Sequence, residues 1–524
     1  MRTLRSIIAT ALVLVALPAV AHASPTQESM FQDDPMLVYG TDAQVNSTLA
    51  TLAAFGVDRI RVSVFWSIIA PATDQTVKPV FDATDPAAYP QELWTRYDRI
   101  VQAAQAHGIA VNFNLTSPVP RWAAQTSPRP ELQETYGPDT DEFGKFVKAV
   151  GTRYSGTYQG LPRVDYWSIW NEPNQAGWLT PQWTPDPRNA SAFVEAAPAT
   201  YRNLVAAAWT NLAGSGHGAD TVLVGETAPQ GVTDQGLSRP LSPLRFLRRL
   251  YCLDDNLNLL TGQEASVRGC TGDAPSFVAA NPGLFHASGY AHHPYALLSP
   301  PGRKSRNSDD VAMSDLPALS RELKRIYARY GQKTQSSRGV PLYLTEYGYQ
   351  TKPDPFTVSF SQQAAYINQA EYIAYRNPNV RAMSQFLLID DAPVPGVDPK
   401  KDPQLYWRTF QSGLQLLAGK KKPSYNAYQT PLYLKQRTIR RGRSVGVFGM
   451  LRGAKAGAVI AAQVQFRAKG SKRWRTLRTV RSKGVRNYLN TTVRPRSTGS
   501  LRLRWSNGGA RALVSRTAPV SVRR

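Results

Sequence analysis

Short apolar or β-branched runs recur along most of this chain, each followed by a loop and then by a stretch whose apolar residues fall three and four apart. The runs are Met36–Tyr39, Arg59–Phe65, Ile109–Leu115, Val164–Trp170, Thr221–Gly225, Gly289–Ala291 with its flanks, Val340–Thr345 and Ala382–Asp390, eight in all. Helix-like stretches between them include Val45–Ala54, Leu93–His107, Asp141–Arg153, Ala199–Asn211, Asp315–Tyr330 and Ser361–Arg376. Few architectures accommodate eight alternations of strand and helix patterning. Several runs are apolar on both faces, as in Val340-Pro341-Leu342-Tyr343-Leu344, which suits a parallel sheet covered by helices. The pattern predicts an α/β fold, a (β/α)8 TIM barrel with long loops over residues 34–434. An open doubly wound sheet is the rival, but no glycine-rich phosphate fingerprint follows the first run.

In such a barrel chemistry gathers at the C-terminal ends of the strands. The fourth run ends in Trp170-Asn171-Glu172-Pro173-Asn174 and the seventh in Thr345-Glu346-Tyr347-Gly348, so each delivers one glutamate where strand gives way to loop. Two facing carboxylates, one protonated and one ionised, are what cleavage of a glycosidic bond requires. A lone glutamate at a strand end more often caps a helix or faces solvent. Two of them, in these strings and on these two strands, are a far more specific signal.

Here the sequence resembles the retaining glycoside hydrolases of clan A, the superfamily of cellulases, mannanases, β-xylosidases and iduronidases, and most closely its families 5 and 39. The string WNEPN at 170–174 looks like the clan's acid/base motif and TEYG at 345–348 like its nucleophile motif. The resemblance implies Glu172 as general acid/base, Glu346 as nucleophile, and Asn171 as a hydrogen-bond partner of the sugar 2-hydroxyl. More loosely, Arg61 matches a second-strand arginine that orients the nucleophile. His293-Pro294-Tyr295 matches a sixth-strand His-x-Tyr whose tyrosine touches it, and Trp66 resembles a substrate-side aromatic. The chain departs from the clan on strand eight, where Ser384-Gln385-Phe386 has no tryptophan; Trp407, further on, is the candidate substitute. Strand five adds a third carboxylate, Glu226, which binds a hydroxyl or caps the next helix, the cap being the favoured reading. Loop aromatics such as Trp122, Trp178, Trp183, Tyr290, Tyr347 and Tyr349 divide between sugar stacking and packing. The chemistry calls for no metal and no organic cofactor. Only His292 and His293 adjoin among the six histidines, and neighbours on a strand point to opposite sides.

The ends of the chain differ from its middle. Arg2 and Arg5, the apolar run Ile7–Val20 and Ala21-His22-Ala23 read as a secretory signal peptide over 1–23, too short in its apolar run for a membrane anchor. The two cysteines, Cys252 and Cys270, are expected to form a disulfide in an oxidising compartment. The formal charge of +25 is concentrated: residues 435–524 hold 24 Lys and Arg and no Asp or Glu. With the signal segment also set aside, the remainder has 36 bases against 37 acids. Alternating runs such as Val445–Gly449, Val464–Arg467 and Leu501–Trp505, separated by glycine turns, predict a small antiparallel β-sandwich over 435–524, which resembles the immunoglobulin-like modules often appended to secreted bacterial enzymes.

The expected protein is a secreted, monomeric retaining glycosidase acting on a poly- or oligosaccharide, with no transmembrane segment once processed. Its basic module would attach to an anionic envelope polymer, nucleic acid being a secondary partner given export. The opposing reading is an inactive carbohydrate-binding or structural envelope protein on the same barrel.

Overall fold

In the computed structural model, which describes residues 24–270, 272–508 and 512–524, eight parallel strands close into a barrel. They are β1 (Glu28–Gln32), β2 (Arg59–Phe65), β3 (Ala110–Thr116), β4 (Tyr166–Ile169), β5 (Thr221–Thr227), β6 (Gly289–His292), β7 (Leu342–Leu344) and β8 (Val380–Phe386). Closure comes from β1, which pairs with β8 through Ser29 and Met383 and with β2 through Met30 and Arg59. The expected signal peptide, 1–23, lies outside the described residues. Among the described residues no helix is long and apolar enough to cross a membrane.

Seven of the eight expected strands stand where the runs predict them, and the helices Asp42–Ala54, Gln91–Ala106, Thr140–Arg153, Ala197–Leu212, Leu316–Arg329 and Phe360–Arg376 match the helical stretches closely. The first strand does not. Met36–Tyr39 is no strand: Asp34–Leu37 is a helical turn whose N-cap, Asp33, accepts from the Met36 amide at 3.2 Å, with Pro35 in its first turn. The strand precedes it, so the barrel begins before residue 34. On the eighth strand pairing stops at Phe386 and not at Asp390.

The pleat sorts the side chains. On β2, Ile60, Val62 and Val64 join the large core between sheet and helices. The alternate residues Arg59, Arg61 and Ser63 are buried too and turn into the barrel. Inside, the lower layer is apolar, with Met30, Leu223, Ala291, Tyr343 and Ala382 in contact. Arg59 lies over the Tyr166 ring and pairs with Glu28 at 3.2 Å. Above this floor the interior becomes polar. Cys252 and Cys270 form the expected disulfide, closing a loop between the fifth and sixth strands.

The chain ends in two further sheets. One is ordered β9 (Leu432–Leu434), β11 (Val445–Met450), β14 (Tyr488–Val493). The other runs β10 (Thr438–Arg440), β17 (Ala518–Arg523), β15 (Gly499–Trp505), β12 (Ala461–Ala468), β13 (Arg475–Arg481), with β16 (Leu513–Val514) beside β15. Val445, Val447 and Leu489 of the first meet Val464, Phe466, Leu501 and Leu503 of the second in one core, which makes a β-sandwich. It is not wholly antiparallel, since β10 and β17 run parallel. It starts a few residues before 435, because β9 belongs to it.

This sandwich sits under the floor of the barrel. Phe448 and Tyr488 project from the far face of β11 and β14 into Tyr372 and Tyr375, with ring centroids 4.6 to 5.8 Å apart. Arg452 is buried, bonding Glu371 at 2.6 Å and the Ser29 hydroxyl, and Arg486 pairs with Asp58. Gly56 and Gly453, at φ of +69° and +76°, meet so closely that a Cβ on Gly453 would lie 2.3 Å from the Ala54 carbonyl oxygen. Removing one partner of a buried ion pair strands the other charge. Arg452→Met alone is therefore expected to cost about 3–5 kcal/mol in urea denaturation, and adding Glu371→Met to return most of it.

Candidate active site

The polar upper layer of the barrel is organised by Arg61, whose side chain is wholly buried. Its Nη1 donates to Gln32 Oε1 of β1 and, at 2.8 Å, to Glu346 Oε1 beyond β7. Its Nη2 donates to Asn171 Oδ1 at 2.6 Å and to Glu226 Oε2 at 3.0 Å. One guanidinium thus fixes groups from strands one, four, five and seven, a use of its planar fork that lysine could not match. His293, also fully buried, completes the layer from the sixth strand: Nδ1 bonds Glu172 Oε1 at 2.9 Å and Nε2 bonds Glu226 Oε2 at 2.7 Å. The Tyr295 hydroxyl donates to Glu346 Oε2 at 3.0 Å.

The loops that carry these groups are locked together. The Glu172 amide donates to the Glu226 carbonyl oxygen at 2.9 Å. The Asn174 side chain donates to the Ala228 and Leu241 carbonyls and accepts from the Ala228 amide. Trp170, Glu172 and Glu226 adopt left-handed φ of +65°, +35° and +46°, conformations that non-glycine residues hold only where their surroundings impose them.

Burial and charge set the protonation of the cluster. Burial opposes charge on Glu226, but Arg61 and then His293 outweigh it and hold the carboxyl down at about 2. Burial likewise opposes charge on His293, yet Glu346 and the hydrogen bonds from Glu172 and Glu226 raise the imidazolium to about 9. Glu346 is held above the ordinary carboxylate range, first by burial, with His293 and Arg61 partly offsetting it. Glu172, His293 and Glu346 each offer an atom within 4.8 Å of the other two, a spacing a metal ion would also accept. An imidazolium donating from both nitrogens has no lone pair for a metal, and Arg61 already occupies Glu346, so the donor set does not suit a cation.

A cavity of about 670 Å3 opens over this layer, lined by Asn171, Glu172, Trp178, Tyr295, Glu346 and Tyr349 among others. Asn171 spends its carbonyl oxygen on Arg61 and Asn114, which leaves its amide NH2 for a ligand. Several sequence expectations are corrected here. Glu226 caps no helix; it ends a strand inside the barrel, wholly buried. Arg61 and His293 are sealed beneath the cavity and act through the carboxylates they hold, so neither is placed to touch substrate. Trp66 is fully buried, stacked on Phe146 at 5.6 Å, and is no part of the cavity wall. Trp407 packs edge-on against Tyr406, also off the wall. Phe386, at the end of the eighth strand, lines the cavity instead, with Phe410 edge-on at 5.2 Å. Trp183, Tyr290 and Tyr347 are buried packing residues, and His292 turns away to the Val311 carbonyl. Sequence reasoning passed over Gln32, Asp34 and Asp391, all on the cavity wall. Gln32 also closes a strand, but only Met30 and Phe31 precede it as apolar residues, so it lacks the long apolar run that marks the two glutamates.

A family model described as cellulase, glycosyl hydrolase family 5, matches residues 21–379, a span holding both glutamates. No curated protein matches the chain. Among solved structures, the chain is similar to a family 39 glycoside hydrolase from the gut symbiont Bacteroides cellulosilyticus WH2, at 15% identity over 90% of this chain and 80% of that one, with a TM-score of 0.48. It is also similar to a monomeric beta-xylosidase from Caulobacter crescentus CB15, at 17% identity over 91% and 96% of the two chains and a TM-score of 0.42.

The protonation of His293 has a consequence for stability. A folded pKa near 9, above the ordinary 6.5, means a contribution fully present below pH 6.5 and lost as pH rises through 9. Thermal unfolding is expected to show wild-type stability falling on the order of 3 kcal/mol across that window, while His293→Gln stays flat there.

Proposed function

The chain belongs to glycosyl hydrolase family 5 and is a retaining glycoside hydrolase, and on that premise we propose that Glu346 is its nucleophile and Glu172 its general acid/base. The observation that carries this reading is their meeting at one cavity, with carboxylate oxygens within 4.8 Å of each other. Retaining enzymes hold the pair about 5–5.5 Å apart, inverting ones about 6.5–9.5 Å to admit a water. A nearest-oxygen separation within 4.8 Å accords with the shorter, retaining spacing.

In the first step a Glu346 oxygen attacks the anomeric carbon and the bond to the leaving oxygen breaks as Glu172 gives that oxygen its proton. Arg61 and the Tyr295 hydroxyl, each on one oxygen of Glu346, hold the attacking carboxylate in place. In the second step a water attacks the same carbon, Glu172 takes its proton, and Glu346 departs. The sugar leaves with its configuration retained. His293 supports both steps by holding Glu172 in line, and Asn171 offers its amide NH2 to the sugar 2-hydroxyl.

The substrate we propose is a poly- or oligosaccharide, with Phe386, Phe410 and Trp178 as ring-stacking faces. Export is part of the same reading, supported by the amino-terminal sequence and by a disulfide that suits an oxidising compartment. The basic module, 435–524, would then attach the enzyme to an anionic surface.

A screen of aryl glycosides and polysaccharides identifies a substrate for two variants. Glu346→Ala is expected to lower kcat at least roughly 10³-fold on every substrate cleaved. Glu172→Ala should cost far less on a 4-nitrophenyl glycoside, whose leaving group needs no proton, than on an unactivated one. Activity that survives both changes would refute the assignment. The acid limb of kcat/KM is expected above pH 4.5, because burial raises Glu346.

A further inference from the structure

The layers of the molecule follow one another in a fixed order: catalytic cavity, barrel, the sheet β9-β11-β14, and the sheet containing β12, β15 and β17. The last sheet turns Val464, Phe466, Leu501 and Leu503 into the sandwich core. By the pleat, its other face carries Gln463, Gln465, Arg467, Arg502 and Arg504 and looks directly away from the barrel. Gln463 stands opposite Arg504, and Gln465 opposite Arg502.

These arginines are held ready. Arg502 donates to Gln465 Oε1 at 2.9 Å, and its guanidinium lies 4.1 Å from the ring centroid of Trp474. Arg467 lies 4.8 Å from the same ring. Neither is neutralised: among the described residues of the module, only Arg452 and Arg486 pair with carboxylates, and both do so with the barrel. On the adjoining edge strand β13 exposed Arg481, opposite Ala461, shares this face, whereas Arg475 and Arg478 stand opposite Phe466 and Val464 and turn to the other side. None of the residues pointing outward from β12 and β15 is a large apolar side chain that would enter a bilayer. The opposite end of the molecule has the opposite character. Among the described residues the cavity wall includes Asp34, Glu172, Glu346 and Asp391 and no Lys, Arg or His.

We propose that the outer face of β12 and β15 binds an anionic polysaccharide as a tether, with the cavity facing away from it, so that the polymer held is not the polymer cut. This rests on the glycosidase reading above and deepens its basic module into a defined face. The guanidinium groups of Arg467, Arg502 and Arg504 match carboxylates spaced along an acidic glycan, with the Gln463 amide beside them for its hydroxyls; Gln465 is spent on Arg502 and Gln463. The carboxylates of the cavity repel the same polymer.

The full-length protein is tested for binding to polygalacturonate, to dextran, and to phosphatidylglycerol vesicles and duplex DNA at equal charge concentration. Expected is salt-sensitive binding to polygalacturonate, none to dextran, and weaker binding to vesicles and DNA. The triple change Arg467→Gln, Arg502→Gln, Arg504→Gln should weaken polygalacturonate binding about 100-fold. Amide exchange of the unmutated protein, which does not depend on the variant folding, should report protection at 461–468 and 499–505 and none at 295–298 or 346–356. Glu346→Ala should bind as well as wild type, which separates this proposal from the catalytic one. Preference for vesicles or DNA, equal binding to dextran, protection at the cavity, or release of reducing ends from polygalacturonate would overturn it.

Discussion

The active layer of this enzyme depends on a buried guanidinium. Arg61 has no access to water, and its charge is tolerable only because Glu346 and Glu226 lie within 3.0 Å. Those contacts reach across the barrel, so the same bonds that compensate the arginine also set the positions of groups from four other strands. With His293 the layer holds two cations against three carboxylates, Glu172, Glu226 and Glu346. Burial opposes charge on Glu226, but Arg61 and His293 outweigh it and hold it ionised, at about 2.

The sequence made the barrel readable because its strands are regular and its helices amphipathic, two periodicities that a single chain displays openly. Both cavity glutamates were readable for the same reason, each standing where an apolar run stops. What escaped was decided by tertiary contacts. Met36–Tyr39 is apolar because it packs as a helical turn, while the true first strand, Glu28–Gln32, has polar ends and a short apolar centre. Glu226 sits in a string suited to a helix cap, and only the arrival of Arg61 and His293 from other strands makes it a buried anion. Trp66 and Trp407 share an aromatic identity with sugar platforms but are packed away from the wall, which Phe386 and Phe410 supply instead.

Net charge told less than its distribution. The barrel's own bases and acids nearly cancel, and the surplus lies in a sandwich fastened beneath it by Arg452, Arg486 and a cluster of tyrosines with Phe448. Because that fastening uses the floor of the barrel, the module cannot border the cavity. Chemistry and cationic surface are kept at opposite ends of one molecule.

The central claim is that Glu346, held by Arg61, forms the covalent bond to sugar. A panel of 2-deoxy-2-fluoro glycosides with activated leaving groups traps such intermediates, and peptide mass spectrometry locates the label. The account requires one glycosyl group on the peptide containing Glu346, at Glu346 itself. A label on Glu172 or Glu226 would contradict it.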